Sequence, residues 1–404
     1  MDAFLNALFL GAGYNAALVG IGAALLGFAA GASGTFLFLR KRALVSDAVA
    51  HATLPGVGLA FIVMVALGFD GRSLVGLLAG SAVTAAIGLV LVEWMSRKTR
   101  LSEDAAIGAV LSVFFGIGIV LLTVIQTMSQ GRQAGLEGFL LGSTAGMLFQ
   151  DAVVIAIGGT LAVAATFILR RPMTLVAFDP EYAAASGYDV RKIDLAMMGL
   201  VMAVTVIGLK LVGLILIVAM LIIPAVTARF WTEKSDTVIW SAGLLGAASG
   251  YVGAAISASA PALPTGPIIV LVSAALFTLS LFFAPARGVA AAVIRRQRFQ
   301  ARVHHRQGLL ALARQEPIHD KLTLKVLGRD GLIRSDGVAT DTGRAMAAKV
   351  ARDERRWDVA REVHHDVSLT GRYDGLTPIE DVFTPDEIAQ FDVVIGKPTA
   401  VEGT

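Results

Sequence analysis

Nine apolar runs, each close to the length a helix needs to cross a bilayer, fill the first 285 residues of this 404-residue chain. About 20 apolar residues span the hydrocarbon layer. Within that layer only a helix or a closed barrel pairs every backbone N–H and C=O, so no other feature narrows the fold as far. The runs near 15–39, 47–69, 73–95, 105–126, 149–169, 193–209, 211–229, 236–257 and 266–284 predict nine transmembrane helices, the sixth and seventh meeting in a tight hairpin at Lys210. Residues 1–12, MDAFLNALFLGA, read as an interfacial amphipathic helix. Residues 138–150, GFLLGSTAGMLFQ, are too short and Gly-rich to cross and read as a re-entrant or surface element packed on protein.

Composition agrees with an all-α polytopic membrane protein. Hydrophobic residues make up 55% of the chain and charged residues 16%, more apolar surface than a soluble domain can hide. Charge is unevenly spread. Residues 1–285 carry 15 Lys/Arg and 14 Asp/Glu, and the last 119 residues carry 19 and 17. The chain therefore divides into a membrane domain, 1–289, and a polar tail, 290–404. Cysteine is absent, which excludes disulfides and thiolate metal sites. A net charge of +3 gives no argument for a nucleic-acid partner. Asp2 and Asn6 stand where a cleavable signal would carry basic residues, and the following apolar stretch runs on as a span.

The basic residues predict orientation. Twelve Lys/Arg fall at one set of span ends, from the Arg40–Lys41–Arg42 triplet to Lys234, and only Arg72, Arg132 and Lys210 fall at the other. The richer side is expected in the cytoplasm, with the N-terminus outside and the tail inside. Small residues are frequent in the spans, as in GIGAALLGFAAGASG, and let transmembrane helices approach closely.

One stretch carries chemistry. In SDAVAHATLPG, 46–56, Asp47 and His51 are four residues apart and share a helix face. A carboxylate and an imidazole suit Mn²⁺, Fe²⁺ or Zn²⁺. Two ligands make half a site, which suits an ion that must also leave. His51 is the sole histidine in the first 303 residues, and an ionisable residue in a span is a functional candidate by default. Pro55 has no N–H to give the carbonyl of His51, and Gly56 and Gly58 loosen the next turn. The expectation is a helix broken at Pro55 and Gly56, with that carbonyl as a third oxygen near the pair. The alternative is a decorated helix start, with Ser46 and Asp47 as caps and His51 bonded to a neighbouring helix.

Four blocks in order resemble the permease subunit of the ABC-type manganese, zinc and iron importers, the ABC-3 family, over residues 1 to about 290. They are GTFLFLRKRALVSDAVAHATLPGVGLAF, EGFLLGS, AFDPEYAAASGYDVRKIDLAMM and KLVGLILIVAMLIIPAVTARF. The resemblance implies a type II ABC importer permease fold and an inner-membrane location. It places the translocation-path ligands at Asp47 and His51. It also implies a coupling helix seated on an ATPase, here Asp179, Pro180, Glu181, Ala183, Ala184 and Gly187. That segment reads independently as a short helix: Asp-Pro starts it, Gly187 stops it, and Ala183, Ala184 and Ala185 form a small-residue side suited to docking. No Gly-x-x-x-x-Gly-Lys-Ser/Thr occurs, so ATP hydrolysis belongs to a separate subunit. An extracytoplasmic metal-binding protein and a second permease subunit, like or unlike this one, complete the implied assembly. The metal is cargo, and no permanently bound cofactor is expected.

The tail opens with a basic helix, AAVIRRQRFQARVHHRQGLLALARQEP, placed to meet anionic lipid. It continues with helix, hairpin and helix signals that resemble part of a metal-dependent regulator of the diphtheria-toxin-repressor type, an α+β winged-helix-like unit. The resemblance is partial. The stretch 307–332 has no room for a supporting helix. Glu354 stands where such regulators have a metal-binding His, and Asp381 follows Glu380 where a second His would be. His364 and His365 are further candidate ligands. A structural or interaction role is the first reading of the tail, metal sensing the second, and DNA binding is not expected. For the chain as a whole, a secondary metal/proton transporter and a membrane-tethered metal-responsive regulator are the alternatives to an ATP-driven importer subunit.

Overall fold

The computed structural model describes residues 2–69, 71, 73–128, 149–260, 263–363 and 371–396. The chain divides into two compact units, Met1–Ala291 and Ala292–Thr404.

The first unit is a helical bundle. A short helix α1 (Asp2–Leu8) precedes α2 (Tyr14–Leu39), α3 (Ala43–Ala66), α4 (Leu74–Lys98), α5 (Glu103–Thr127), α6 (Phe149–Phe178), the six-residue α7 (Pro180–Ala185), α8 (Val190–Val212), α9 (Leu214–Trp231), α10 (Ser235–Ala258) and α11 (Thr265–Phe283). Eight of these are long and apolar enough to cross a membrane, and α9 contributes a shorter apolar stretch, Leu216–Trp231. The nine expected runs are all helical. The hairpin between the sixth and seventh is at Gly213, not at Lys210. Gly213 takes a φ of +84°, a conformation a side chain resists, so α8 runs on through Lys210 until the chain reaches it. The fifth span is also longer than its apolar run. It passes Arg170, Arg171 and Pro172 and ends at Phe178, immediately before α7.

Packing follows residue size. On α2 the small residues Ala23, Gly27 and Gly31 lie against the α10 backbone at Gly250, Gly246 and Ala242; a Cβ on Gly27 would stand 2.2 Å from the Gly246 carbonyl oxygen. Contact this close replaces the hydrophobic drive that lipid removes. The core around α2 draws Met197 and Val201 from α8, Met220 and Leu221 from α9, and Met173 and Val176 from α6. A second core joins α3, α4 and α5 through Val45, Val49, Ala85, Leu89 and Val110. Exposed Leu5 on α1 and Phe9 just after it agree with an interfacial helix, tied down where the Tyr251 hydroxyl donates to the Leu8 carbonyl at 2.6 Å. The element expected at 138–150 lies outside the described residues except for its last two, which open α6.

In the second unit, α12 (Val289–Ala313), which begins in the first, is followed by α13 (Lys321–Arg329), α14 (Asp341–Val363), a 3₁₀ turn (Ile379–Asp381) and α15 (Pro385–Ile395). The expected α+β character is corrected here. Among the described residues no strand forms, and the wing reduces to one antiparallel bridge between Ile333 and Ala339. The helices on either side, ending at Arg329 and starting at Asp341, leave too little chain outside the bridge for a ladder, and the turn closes on the Arg334 N–H to Val338 carbonyl bond. No helix lies between Ala313 and Lys321.

Candidate metal path and coupling elements

Helix α3 begins at Ala43, one residue after Arg42, so Asp47 and His51 sit within its second and third turns. This corrects the reading of Ser46 and Asp47 as caps. Ser46 instead turns its hydroxyl back to the Ala43 carbonyl at 2.6 Å. The Asp47 Oδ1 and His51 Nε2 atoms are 3.5 Å apart, with the side chains 40% and 17% exposed. Zinc-like ligand distances at a near-tetrahedral angle would set such a pair about 3.4 Å apart. The observed separation is close to that spacing, and it is also that of an i,i+4 Asp–His pair. Phe115 of α5 meets the imidazole edge-on, ring centroids 5.1 Å apart. The other ring nitrogen, Nδ1, is buried with no hydrogen-bond partner among the described residues. A buried polar atom left open is rare enough to need a reason.

The expected break at Pro55 and Gly56 does not occur. Helix α3 is continuous from Ala43 to Ala66. Proline removes one hydrogen bond from a helix interior and strains the preceding turn, and neighbouring helices hold the segment in place. A Cβ on Gly56 would stand 2.2 Å from the Gly80 carbonyl oxygen of α4, and one on Gly118 of α5 would stand 3.3 Å from the Pro55 nitrogen. Two glycines on the neighbours and one on α3 let three backbones clamp the proline turn. The His51 carbonyl still receives no hydrogen bond from position 55.

Among the described residues no group of three or more His, Asp or Glu is gathered around an ion position. Of those residues, one chain brings Asp47 and His51 together and adds no third ligand.

Helix α7 is built as its sequence predicts. The Asp179 carboxylate accepts the Tyr182 N–H at 2.9 Å and Pro180 fills the first turn. At the far end the Tyr188 N–H reaches the Ala183 carbonyl and the Gly187 N–H the Ala184 carbonyl, both at 3.0 Å, with Gly187 at a φ of +87°. This is a Schellman stop. The small-residue side divides: Ala183 is 0% exposed and packs into the unit's own core, while Glu181, Ala184 and Ala185 are exposed and Tyr182 is 61% exposed. The expected docking face therefore loses Ala183 and gains Tyr182. A helix that rests on its own protein must spend one face there.

Sequence reasoning passed over Asp194. It lies on α8, 3% exposed, and takes a bidentate pair from Arg40, Nε to Oδ1 at 3.1 Å and Nη2 to Oδ2 at 3.0 Å. The signal was legible, since an acid inside RKIDLAMMGL is an ionisable group in an apolar run.

In the tail, Glu354 is occupied by protein. Arg306 donates to it at 2.5 Å and the Tyr373 hydroxyl donates as well. Burial alone would raise the Glu354 pKa, but these two hydrogen bonds, with the charges of Arg306 and Arg361, hold it below the usual carboxylate range. Burial and the Glu354 carboxylate push the Tyr373 phenol up. Glu380 pairs with Lys349 at 3.4 Å, and Asp381 ends the 3₁₀ turn. The metal-ligand expectation is corrected for Glu354, whose oxygens already have donors. His364 and His365 lie outside the described residues.

Known proteins share this architecture. A model of the ABC 3 transport family matches residues 14–284. The chain is similar to the manganese transport system membrane protein MntC of Bacillus subtilis, 41% identical over 73% of this chain and 66% of that protein. It is also similar to the zinc transport system membrane protein TroC of Treponema pallidum, 35% identical over 70% of this chain and 94% of that protein. Among solved structures it resembles PsaBC from Streptococcus pneumoniae in complex with Fab, with a TM-score of 0.61 and 30% identity over 71% of this chain and 98% of that one.

Proposed function

The chain belongs to the ABC 3 transport family, and we propose that it is the membrane-spanning subunit of an ATP-driven importer that moves a divalent transition-metal ion, Mn²⁺ or Zn²⁺, across a bacterial inner membrane. The single observation that carries this reading is the Asp47–His51 pair, two metal-type donors 3.5 Å apart on a buried span with one imidazole nitrogen left without a partner among the described residues. Relatives named for manganese and for zinc transport support the cargo class.

In this reading one chain provides a carboxylate oxygen and an imidazole nitrogen, and a second permease subunit provides the rest of the coordination. Incomplete ligation on each side keeps the ion exchangeable, as passage requires. The 40% exposure of Asp47 leaves it free to face that partner. Helix α7, with Tyr182, Ala184 and Glu181 outward, seats on a separate ATPase subunit, and an extracytoplasmic binding protein delivers the ion. The excess of Lys/Arg at the α7 end of the bundle supports a cytoplasmic location for it. The tail, whose Glu354 is engaged by Arg306 on one oxygen and Tyr373 on the other, serves as a structural or interaction module. The basic start of α12, with Arg296 and Arg298 exposed, supports contact with anionic lipid.

The test is uptake by the complex assembled with its ATPase in vesicles, with Mn²⁺ and Zn²⁺ offered separately. ATP-dependent accumulation of either ion supports the reading. Accumulation driven by a proton gradient without ATP would replace it with a secondary transporter.

A further inference from the structure

Asp194 is unused by the transport reading, and its surroundings are unusual. Arg40 caps the end of α2, and its two nitrogens on Asp194 leave Nη1 to donate to the Val176 carbonyl at 3.1 Å. Arg42 is the residue before α3, and its Nε pairs with Glu103 of α5 at 3.0 Å. The Arg42 Nη1 is buried without a hydrogen-bond partner among the described residues and lies 3.8 Å from Asp194 Oδ2. Lys41, between the two arginines, takes a φ of +59°. A non-glycine residue pays strain in that region, which persists where surrounding contacts hold it.

These contacts join the two functional elements. Val176 is three residues before Asp179, where α7 starts, and Asp194 is seven residues beyond Gly187, where it stops. Arg40 thus holds the chain on both sides of α7. Arg42 leads directly into α3, which carries Asp47 and His51. Two arginines converge on one buried carboxylate, and only one of them is bonded to it. A buried carboxylate stripped of its partner is strongly destabilising, so α8 can shift against the α2–α3 turn only if a second cation is waiting. Closing 3.8 Å to an ordinary charged hydrogen bond needs a movement of about 1 Å.

We propose that Asp194 passes from Arg40 to Arg42 during the transport cycle, and that this exchange carries a displacement of α7 to α3 and its ion pair. Arg40, Arg42 and Asp194 are positioning residues. None touches the ion. The inference rests on the transport reading above, because it needs an ATPase acting on α7.

The experiment uses the full complex in vesicles and counts Mn²⁺ ions accumulated per ATP hydrolysed. Arg42→Gln is expected to assemble, to keep the wild-type thermal midpoint, and to hydrolyse ATP within about twofold of wild type while the ion-to-ATP ratio falls about tenfold. Arg42→Lys keeps the charge but cannot bridge Glu103 and Asp194 together, and is expected to show the same loss. Adding Asp194→Asn to Arg42→Gln is expected to lower the ratio no further. An unchanged ratio in Arg42→Gln and Arg42→Lys, in a complex whose wild type transports, overturns the exchange and leaves the transport reading standing. So does a lowered thermal midpoint with both activities reduced together, the mark of a merely structural residue. A wild-type complex that moves no metal overturns the transport reading itself, and the exchange falls with it.

Discussion

Glu354 in the tail and Asp47 in the membrane unit each stand beside a nitrogen-bearing side chain, and the difference between them separates a finished contact from an open one. In the tail, Glu354 accepts from Arg306 and Tyr373 and packs beside a core centred on Trp357. Its acid–base neighbours are complete. In the membrane unit, Asp47 and His51 stand 3.5 Å apart, the carboxylate half-open and Nδ1 of the ring without a partner among the described residues. Residue type does not distinguish the two places, since both offered metal-ligand candidates in the sequence. What distinguishes them is satisfaction. A fully bonded polar group holds structure together, and an unfinished one leaves room for a ligand or a second subunit.

Substitution at the open pair should have the most severe effect. Asp47→Ala and His51→Ala should each lower ATP-dependent metal uptake at least about 100-fold, with protein level and helicity unchanged, because each removes half of what the chain offers the ion. Uptake in vesicles, normalised to protein, measures it. Next is Gly56→Val, which drives a side chain into the Gly80 carbonyl of α4 and should destabilise the membrane unit by about 2 kcal/mol, read as a lower thermal midpoint in detergent. Ala184→Trp on the exposed face of α7 should leave that midpoint alone and lower uptake about tenfold while ATP hydrolysis continues. Ala183→Trp, by contrast, should prevent folding, since that residue is fully buried.

The mildest effect is expected at the finished contact. Glu354→Gln should cost about 1 kcal/mol in the tail, after allowance for its partial exposure, and leave uptake untouched. Its pH dependence has a fixed sign. Because the folded protein holds the Glu354 carboxyl below its ordinary range, the clasp is fully formed above about pH 4.3, the unfolded value, and weakens as pH falls through the depressed folded value. Hydrogen exchange across 350–361 should rise in acid for the wild type and respond less to pH in Glu354→Gln.

Much of this was legible in the sequence, and the misses have particular causes. The apolar runs located the helices because a bilayer imposes length. They missed the overrun of α6 past Arg170 to Phe178, where the helix continues beyond the end of its apolar run. The pair at 47 and 51 was legible because helical spacing is local. The integrity of α3 at Pro55 was not, because it depends on Gly80 and Gly118 of two other helices. The inward face of Ala183 was equally hidden, for a row of small residues carries no sign of which one is buried. Asp194 was visible as a charge in an apolar run, but its arginines are 154 and 152 positions away in the chain. In the tail, the hairpin signal was real, yet the chain between Ile333 and Ala339 supports only one bridge.

If Asp47 and His51 form half of one ion site, stoichiometry reveals it. The measurement is equilibrium binding of radioactive manganese to the purified permease in detergent, counted against protein. One ion per two permease chains is expected, lost when His51 is replaced by alanine. One ion per chain, or binding indifferent to His51→Ala, would contradict the half-site.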